Sequence, residues 1–198
     1  MIPKRTVKSF KTKFGEIPLP VFFPDATRAV IKTLDSADIE NTKTPGILVN
    51  TYHLYKDLGK KVLEKHNGIR QFMSWNGAVI SDSGGFQVMS LAKNSEKRGF
   101  ITDDGVTFKL QGGEEIKLTP EESIQFQMLL KTDMVVVLDD FTKPGCTYEE
   151  AKDTVERTIL WAKRSKEEFL RICEKERIYE KNRPYILGVV QGGEYLDL

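Results

Sequence analysis

The chain of 198 residues has only two cysteines. Cys146 and Cys173 lie far apart and form no C-x-x-C pair, which excludes a disulfide framework or a zinc site encoded in this stretch and leaves two free structural thiols. Long hydrophobic runs are missing as well. No segment approaches the roughly 18 apolar residues of a membrane span, and the Met1-Ile-Pro-Lys-Arg5 start lacks the apolar core of a secretory signal. A cytoplasmic protein with no membrane partner is therefore expected. Nor is there an excess of either charge: 30 Lys and Arg against 29 Asp and Glu give a formal net charge of +1. Any nucleic-acid contact must come from a local patch.

What is present suffices for one sizeable core. With 39% hydrophobic residues, a single domain over residues 1–198 is expected. Thr6 to Leu19 alternates and turns at Gly15, which reads as an N-terminal hairpin. Five apolar runs then read as buried strands: Pro20-Val-Phe-Phe-Pro24, Gly46-Ile-Leu-Val-Asn50, the run from Ala78 to Asp82, Met134-Val-Val-Val-Leu138 and Tyr185-Ile-Leu-Gly-Val-Val190. Helical segments separate most of them. One lies around residues 36–40 and one over 58–66. Two more open on the capping boxes Thr119-Pro-Glu-Glu122 and Thr147-Tyr-Glu-Glu150, running to about Lys131 and Lys175. Ala151, Val155, Ile159, Ala162 and Phe169 share a face of the last helix. Asp104-Gly105 between two alternating runs predicts an inserted hairpin over 100–110.

Alternating strands and helices argue for parallel β/α units. Four strands deliver a polar residue at the C-terminal end: Asn50, Asp82, Asp139 and Gln191. Such ends converge in a β/α barrel and also in a doubly wound sheet, so the pattern leaves both folds open. The densest chemistry follows the third strand, in Asp82-Ser83-Gly84-Gly85-Phe86. There a carboxylate sits at a strand end, two glycines leave bare backbone, and an aromatic plate follows, a set that suits a planar heterocycle. The alternative is a tight turn with a capping Asp and a core Phe.

Asp82-Ser-Gly-Gly-Phe-Gln-Val-Met-Ser-Leu91 resembles the signature of the tRNA-guanine transglycosylases. Pro20–Pro24, Asn50-Thr-Tyr-His-Leu54, Val135-Val-Val-Leu-Asp139 and Val189-Val-Gln191-Gly-Gly193 are similar to other motifs of that family. The resemblance implies an α/β fold, a partial TIM barrel of about five of eight β/α units with the N-terminal and inserted hairpins. It implies base exchange in tRNA, in which guanine at the wobble position is replaced by a 7-deazaguanine such as queuine or preQ1. By the same resemblance Asp82 handles protons beside the reacting base and Phe86 stacks on it. Asp139 accepts from the guanine N1–H and exocyclic amine, Gln191 with Gly192 addresses the carbonyl edge, Ser83, Gly84 and Gly85 line the pocket, and Asn50 supports the ribose side. These residue types fit a guanine edge, which offers two donors beside an acceptor.

Members of that family carry a nucleophilic aspartate and a Cys-x-Cys-x-x-Cys…His zinc site beyond the Gln-Gly-Gly strand, and neither occurs in these 198 residues. The resemblance therefore implies an N-terminal half, inert alone, that needs a complementary C-terminal half, either a separate polypeptide or a portion lost from a truncated product, with zinc held in that missing portion. The competing reading is a non-catalytic subunit that binds tRNA or a partner transglycosylase. Phe141 stands where many bacterial members have Cys, while Leu138-Asp139-Asp140 leans toward the queuine-using pattern, so the incoming base stays open. Asp140 reads as solvated or as a cap, and His53 as a loop residue. The clusters Lys93, Lys97, Arg98 and Lys163, Arg164, Lys166 are candidates for tRNA phosphates, against the commoner reading of solvated faces.

Overall fold

The computed structural model describes residues 7–13, 15–87, 90, 99–109 and 113–198. The chain opens with an antiparallel hairpin of β1 (Ser9–Thr12) and β2 (Gly15–Pro18), Thr12 facing Gly15, in the region where alternation predicted it. The Phe10 ring lies 6.4 Å from Phe23 and meets Tyr185 edge-on at 6.3 Å. Both contacts are at strand beginnings, so the hairpin lies across the N-terminal end of the sheet.

The segment Pro20–Pro24 is not the buried strand expected. Prolines at both ends remove two ladder donors, and Phe22 is 79% exposed. Parallel pairing begins only at Asp25, where Leu48 N–H donates to Pro24 O (2.9 Å) and Ala26 N–H to Leu48 O (2.7 Å). Helix α1 (Ser36–Asn41) follows, held by a reciprocal capping box of Asp35 and Asp38. Strand β3 (Gly46–Asn50) then runs directly into α2 (Thr51–Asp57). Asn50 to Leu54 reads as a loop from its residues alone, but the Asn50 side chain accepts from His53 N–H and caps a helix instead. Next come α3 (Gly59–Lys65), α4 (Ile69–Met73), β4 (Ala78–Asp82) and one helical turn, α5 (Gly85–Gln87).

An antiparallel sheet interrupts the β/α alternation: β5 (Gly99–Thr102), β6 (Gly105–Lys109) and β7 (Glu115–Leu118). The inserted hairpin is there, with a third strand that the sequence reading missed. Its loop residues are Asp103 and Asp104 rather than Asp104 and Gly105, because Gly105 pairs with Thr102. Gly105 is needed where the strands close up, since a Cβ there would lie 2.6 Å from Leu118 O. The inner face of the insert, Val106, Phe108 and Leu118, packs on Tyr52, Leu138 and Trp161. Each such buried side chain is worth about 1.5–3 kcal/mol.

Helix α6 (Pro120–Leu130), strand β8 (Met134–Val136), helix α7 (Tyr148–Lys175) and strand β9 (Tyr185–Leu187) complete the chain. Both expected capping boxes form, Thr119 with Glu122 and Thr147 with Glu150. On α7 the buried line runs through Ala151, Thr154, Thr158, Trp161, Ser165, Phe169 and Ile172. Ile159, placed inside by its hydrophobicity, is 64% exposed. The threonines turn inward because their hydroxyls hold the segment after β8, as described below.

The main sheet is parallel with the order β3-β4-β8-β9, and the Asp25 bridge extends it beside β3. Strands adjacent in space are thus successive β/α units. A doubly wound sheet reverses its order at a switch point; among the described residues this one does not, an order that fits a barrel wall. Between β4 and β8 pairing stops after Ser81 and Val135. Beyond that point the buried Gln127 amide serves Val136, accepting from its N–H (3.1 Å) and donating to its C=O (2.9 Å). The two strands can therefore part toward their C-terminal ends without orphaned backbone groups.

Candidate active site

In the β3–β4 ladder Asn50 lies beside Asp82, so two polar strand ends are neighbours by register. The bond from His53 N–H to Asn50 Oδ1 fixes which way the amide points. Asn50 Nδ2 then donates to Asp82 Oδ2 (2.7 Å) and Gln87 Oε1 (3.0 Å). Both amide hydrogens are spent inside the protein, so Asn50 acts on the carboxylate of Asp82. Gly84 N–H adds a further bond to Asp82 Oδ2 at 3.3 Å. Burial raises the Asp82 pKa, against the lowering effect of the Gly84, Ser83 and Asn50 hydrogen bonds.

Asp139 stands at the next strand end. Ser83 Oγ donates to its Oδ1 (3.2 Å) and Gln191 Nε2 to its Oδ2 (2.7 Å). Gly85 is indispensable here, because a Cβ would come within 1.9 Å of Asp139 Oδ1. The glycine pair makes room for protein rather than for a ligand: at Gly84, with φ of +94°, a Cβ would meet Tyr52 Cβ at 2.9 Å. Ser83, Gly84 and Gly85 are all buried behind the site. Gln191 is oriented without ambiguity, since its Oε1 accepts from Thr142 N–H (3.0 Å) while its nitrogen faces Asp139. Burial pushes the Asp139 pKa up to about 6; the Gln191 and Ser83 bonds oppose this and the charges of Asp82 and Asp140 add to it.

Asp82, Phe86, Asp139 and Gln191 face a common cavity of about 860 Å³, walled further by Phe141, Thr142, Cys146, Val189 and Tyr195. Phe86 lines it, is 56% exposed overall, and meets Phe141 edge-on at 6.2 Å. Of the residues expected at the site, Asn50, Ser83, Gly84, Gly85 and Gly192 lie outside this wall and support it. Sequence reasoning missed Thr142, Gln87 and the lining from Lys143 to Cys146. Closeness to Asp139 in the chain was the only signal for the last.

A model of the family described as queuine tRNA-ribosyltransferase matches residues 4–198. The chain belongs to this family. It is similar to the queuine tRNA-ribosyltransferase of Thermotoga neapolitana, 37% identical over 196 residues, which covers 98% of this chain and 49% of that protein. Those of Aliivibrio fischeri (strain MJ11) and Halothermothrix orenii are each 36% identical and match 93% and 95% of this chain, against 46% and 47% of their own lengths. The chain thus spans about half the length of the curated relatives it matches.

In this family member two charged groups sit otherwise than the sequence suggested. Asp140 is neither solvated nor a cap: it is fully buried, its Oδ2 accepts from Arg157 Nη1 (2.5 Å) and its N–H donates to Thr158 Oγ1 (3.0 Å). Alternation turns it away from Asp139 and onto α7. Arg164 is withdrawn from its basic cluster by a two-pronged bond to Glu121 (2.7 and 2.8 Å) and by the Asp103 and Asp104 carbonyls. Lys93, Lys97 and Arg98 lie outside the described residues. Among the described residues no three His, Cys, Asp or Glu side chains are grouped to hold a metal ion. The zinc that the resemblance implies has no ligand set among them. Among the described residues no helix is long and apolar enough to cross a membrane.

Proposed function

We propose that this chain carries the base-reading and proton-handling part of a tRNA base exchange that replaces guanine at the wobble position with a 7-deazaguanine such as queuine or preQ1. The observation that carries the proposal is the Asp139–Gln191 pair. Its carboxylate and amide nitrogen lie 2.7 Å apart, and Thr142 N–H fixes the amide's direction. One Nε2 hydrogen goes to Asp139, which leaves the other for a ligand carbonyl. Acceptor beside donor complements the N1–H, exocyclic amine and carbonyl of guanine. Adenine offers an amino group and a bare N1 in those places, and would leave both protein groups unpaired.

Asp82 is the proton-handling group. Asn50 and Gly84 hold one of its oxygens, and it opens on the same cavity as the readers. Its raised pKa suits a carboxyl that gives and takes a proton at the departing and arriving bases. Phe86 supplies the plate against which the base lies. The attacking carboxylate and the zinc site belong, in this proposal, to the part of the family fold that these 198 residues do not span. The sheet is then about five of the eight units of a barrel, and a complementary polypeptide pairs beyond β9.

Isothermal titration of the 198-residue chain with guanine and adenine tests the reading. Guanine is expected to bind at least about 100-fold more tightly; equal affinities would refute it. Labelled guanine is expected to enter tRNA only when a C-terminal half from a relative is added. Turnover by the chain alone would refute the half-enzyme reading.

A further inference from the structure

Thr142 is 5% exposed and touches three partners at once. Its N–H donates to Gln191 Oε1 at 3.0 Å, its Oγ1 accepts from Gly192 N–H at 3.1 Å, and its Oγ1 lies 2.7 Å from Thr154 Oγ1 on α7. Each hydroxyl has one proton to give. Thr154 directs its own to Ala151 O, 2.7 Å away in the preceding turn of α7. The Thr142–Thr154 contact must therefore be donated by Thr142. The result is a chain of one polarity: Gly192 N–H to Thr142 Oγ1, Thr142 O–H to Thr154 Oγ1, Thr154 O–H to Ala151 O. It starts beside the cavity and ends on the backbone of a 28-residue helix.

The neighbouring contacts repeat the theme. Thr158 accepts from Asp140 N–H and Arg157 from α7 binds the Asp140 carboxylate. The segment from Asp139 to Thr142 is thus held from behind by three α7 side chains, and it passes that hold on to the Gln191–Gly192 segment at two points, Asp139 to the Gln191 amide nitrogen and Thr142 to the Gln191 amide oxygen and the Gly192 backbone. β9 ends at Leu187, so the backbone carrying Gln191 has no ladder to fix it.

We infer that Thr142, locked by Thr154, is the positioning residue that keeps the Gln191 amide hydrogen aimed at position 6 of the bound base. This rests on the base-reading proposal above for its consequence, but not for its geometry. A Thr142→Val substitution keeps the shape and deletes the hydroxyl, orphaning Gly192 N–H. Thr142→Ser restores the hydroxyl.

The test uses the 198-residue chain, isotope-labelled, in two arms. Without ligand, Gly192 amide exchange is expected to quicken about tenfold in Thr142→Val and to stay within about twofold of wild type in Thr142→Ser. With ligand, the preference for guanine over 6-thioguanine, which keeps N1–H and the 2-amino group and replaces only the 6-carbonyl oxygen by a weakly accepting sulfur, is expected to shrink about tenfold in Thr142→Val. The preference for guanine over hypoxanthine, which lacks the 2-amino group read by Asp139, is expected to hold. A merely structural role would lower all affinities together. Unchanged Gly192 exchange in Thr142→Val, an equal loss at positions 2 and 6, or failure of Thr142→Ser to restore either readout would overturn the inference. If Thr142→Val does not fold, Thr154→Val carries the same arms with an expected effect of about threefold. If the wild-type chain binds no guanine, the base-reading proposal fails, and the ligand-free arm still decides the role of Thr142.

Discussion

Replacing Asp139 by Asn is expected to stabilise the ligand-free chain while abolishing its selectivity. The carboxylate is buried, and its pKa rises from the ordinary 3.8 to about 6. That displacement corresponds to about 3 kcal/mol by which the ionised form strains the native state. The sign follows from proton binding. Between about pH 4 and 6 the native state holds a proton that the unfolded chain has lost, so the contribution of this group is intact below about pH 4 and is lost as the pH rises through about 6. An Asn at this position fits the same network, its oxygen taking the Gln191 N–H and its nitrogen facing Ser83 Oγ. It escapes the charge penalty at every pH. Urea unfolding at pH 7.5 should therefore find Asp139→Asn more stable by about 1–3 kcal/mol, with the difference collapsing near pH 4. Guanine affinity should fall by about 2–4 kcal/mol, because an amide hydrogen now meets the guanine N1–H. A variant less stable than wild type at pH 7.5, or a difference equal at both pH values, would refute the reasoning.

Wild-type guanine affinity should strengthen as the pH rises through about 6, since only the ionised Asp139 accepts both base donors; calorimetric titration from pH 5 to 8 reads this directly. Asp140→Asn should act oppositely to Asp139→Asn on stability, with a loss of about 1–3 kcal/mol in urea unfolding from breaking the buried pair with Arg157. It should also move the pH midpoint of guanine binding downward, because the Asp140 charge helps to raise the Asp139 pKa. Gly85→Ala should eliminate guanine binding and lower the melting temperature, since its methyl would lie 1.9 Å from Asp139 Oδ1. Thr147→Ala should cost about 1 kcal/mol through loss of the α7 cap, visible as a shift in the urea midpoint at unchanged slope.

Asp82, Asp139 and Gln191 were legible in the sequence because each closes an apolar run, and a parallel sheet collects such ends on one edge. The strand order was not legible in the strand pattern, since both α/β folds share that text; only the family resemblance pointed to a barrel. Asp140 was misjudged because its partner Arg157 lies a loop and two helical turns away; one-dimensional reading sees an acid after an acid. The glycines 84 and 85 were recognised as necessary but for the wrong neighbour, because what presses on a bare backbone is decided by distant parts of the chain, here Tyr52 on α2 and Asp139 beyond β8. Thr154 and Thr158 broke the apolar stripe of α7 for a similar reason: hydroxyls drawn inward by the Thr142 hydroxyl and by the Asp140 backbone N–H look, in sequence, like an outward face.

Arg157 has a consequence beyond its ion pair. One nitrogen holds Asp140 and another holds Asp103, at 3.2 Å, in the turn of the inserted sheet. Trp161 and Arg164 grip the same turn through the Asp103 carbonyl. The insert is thus moored to the helix that braces the reading segment, and it cannot be trimmed as decoration. Anyone transplanting this pocket into another scaffold would have to carry the inserted sheet and α7 with it, as one inherited package.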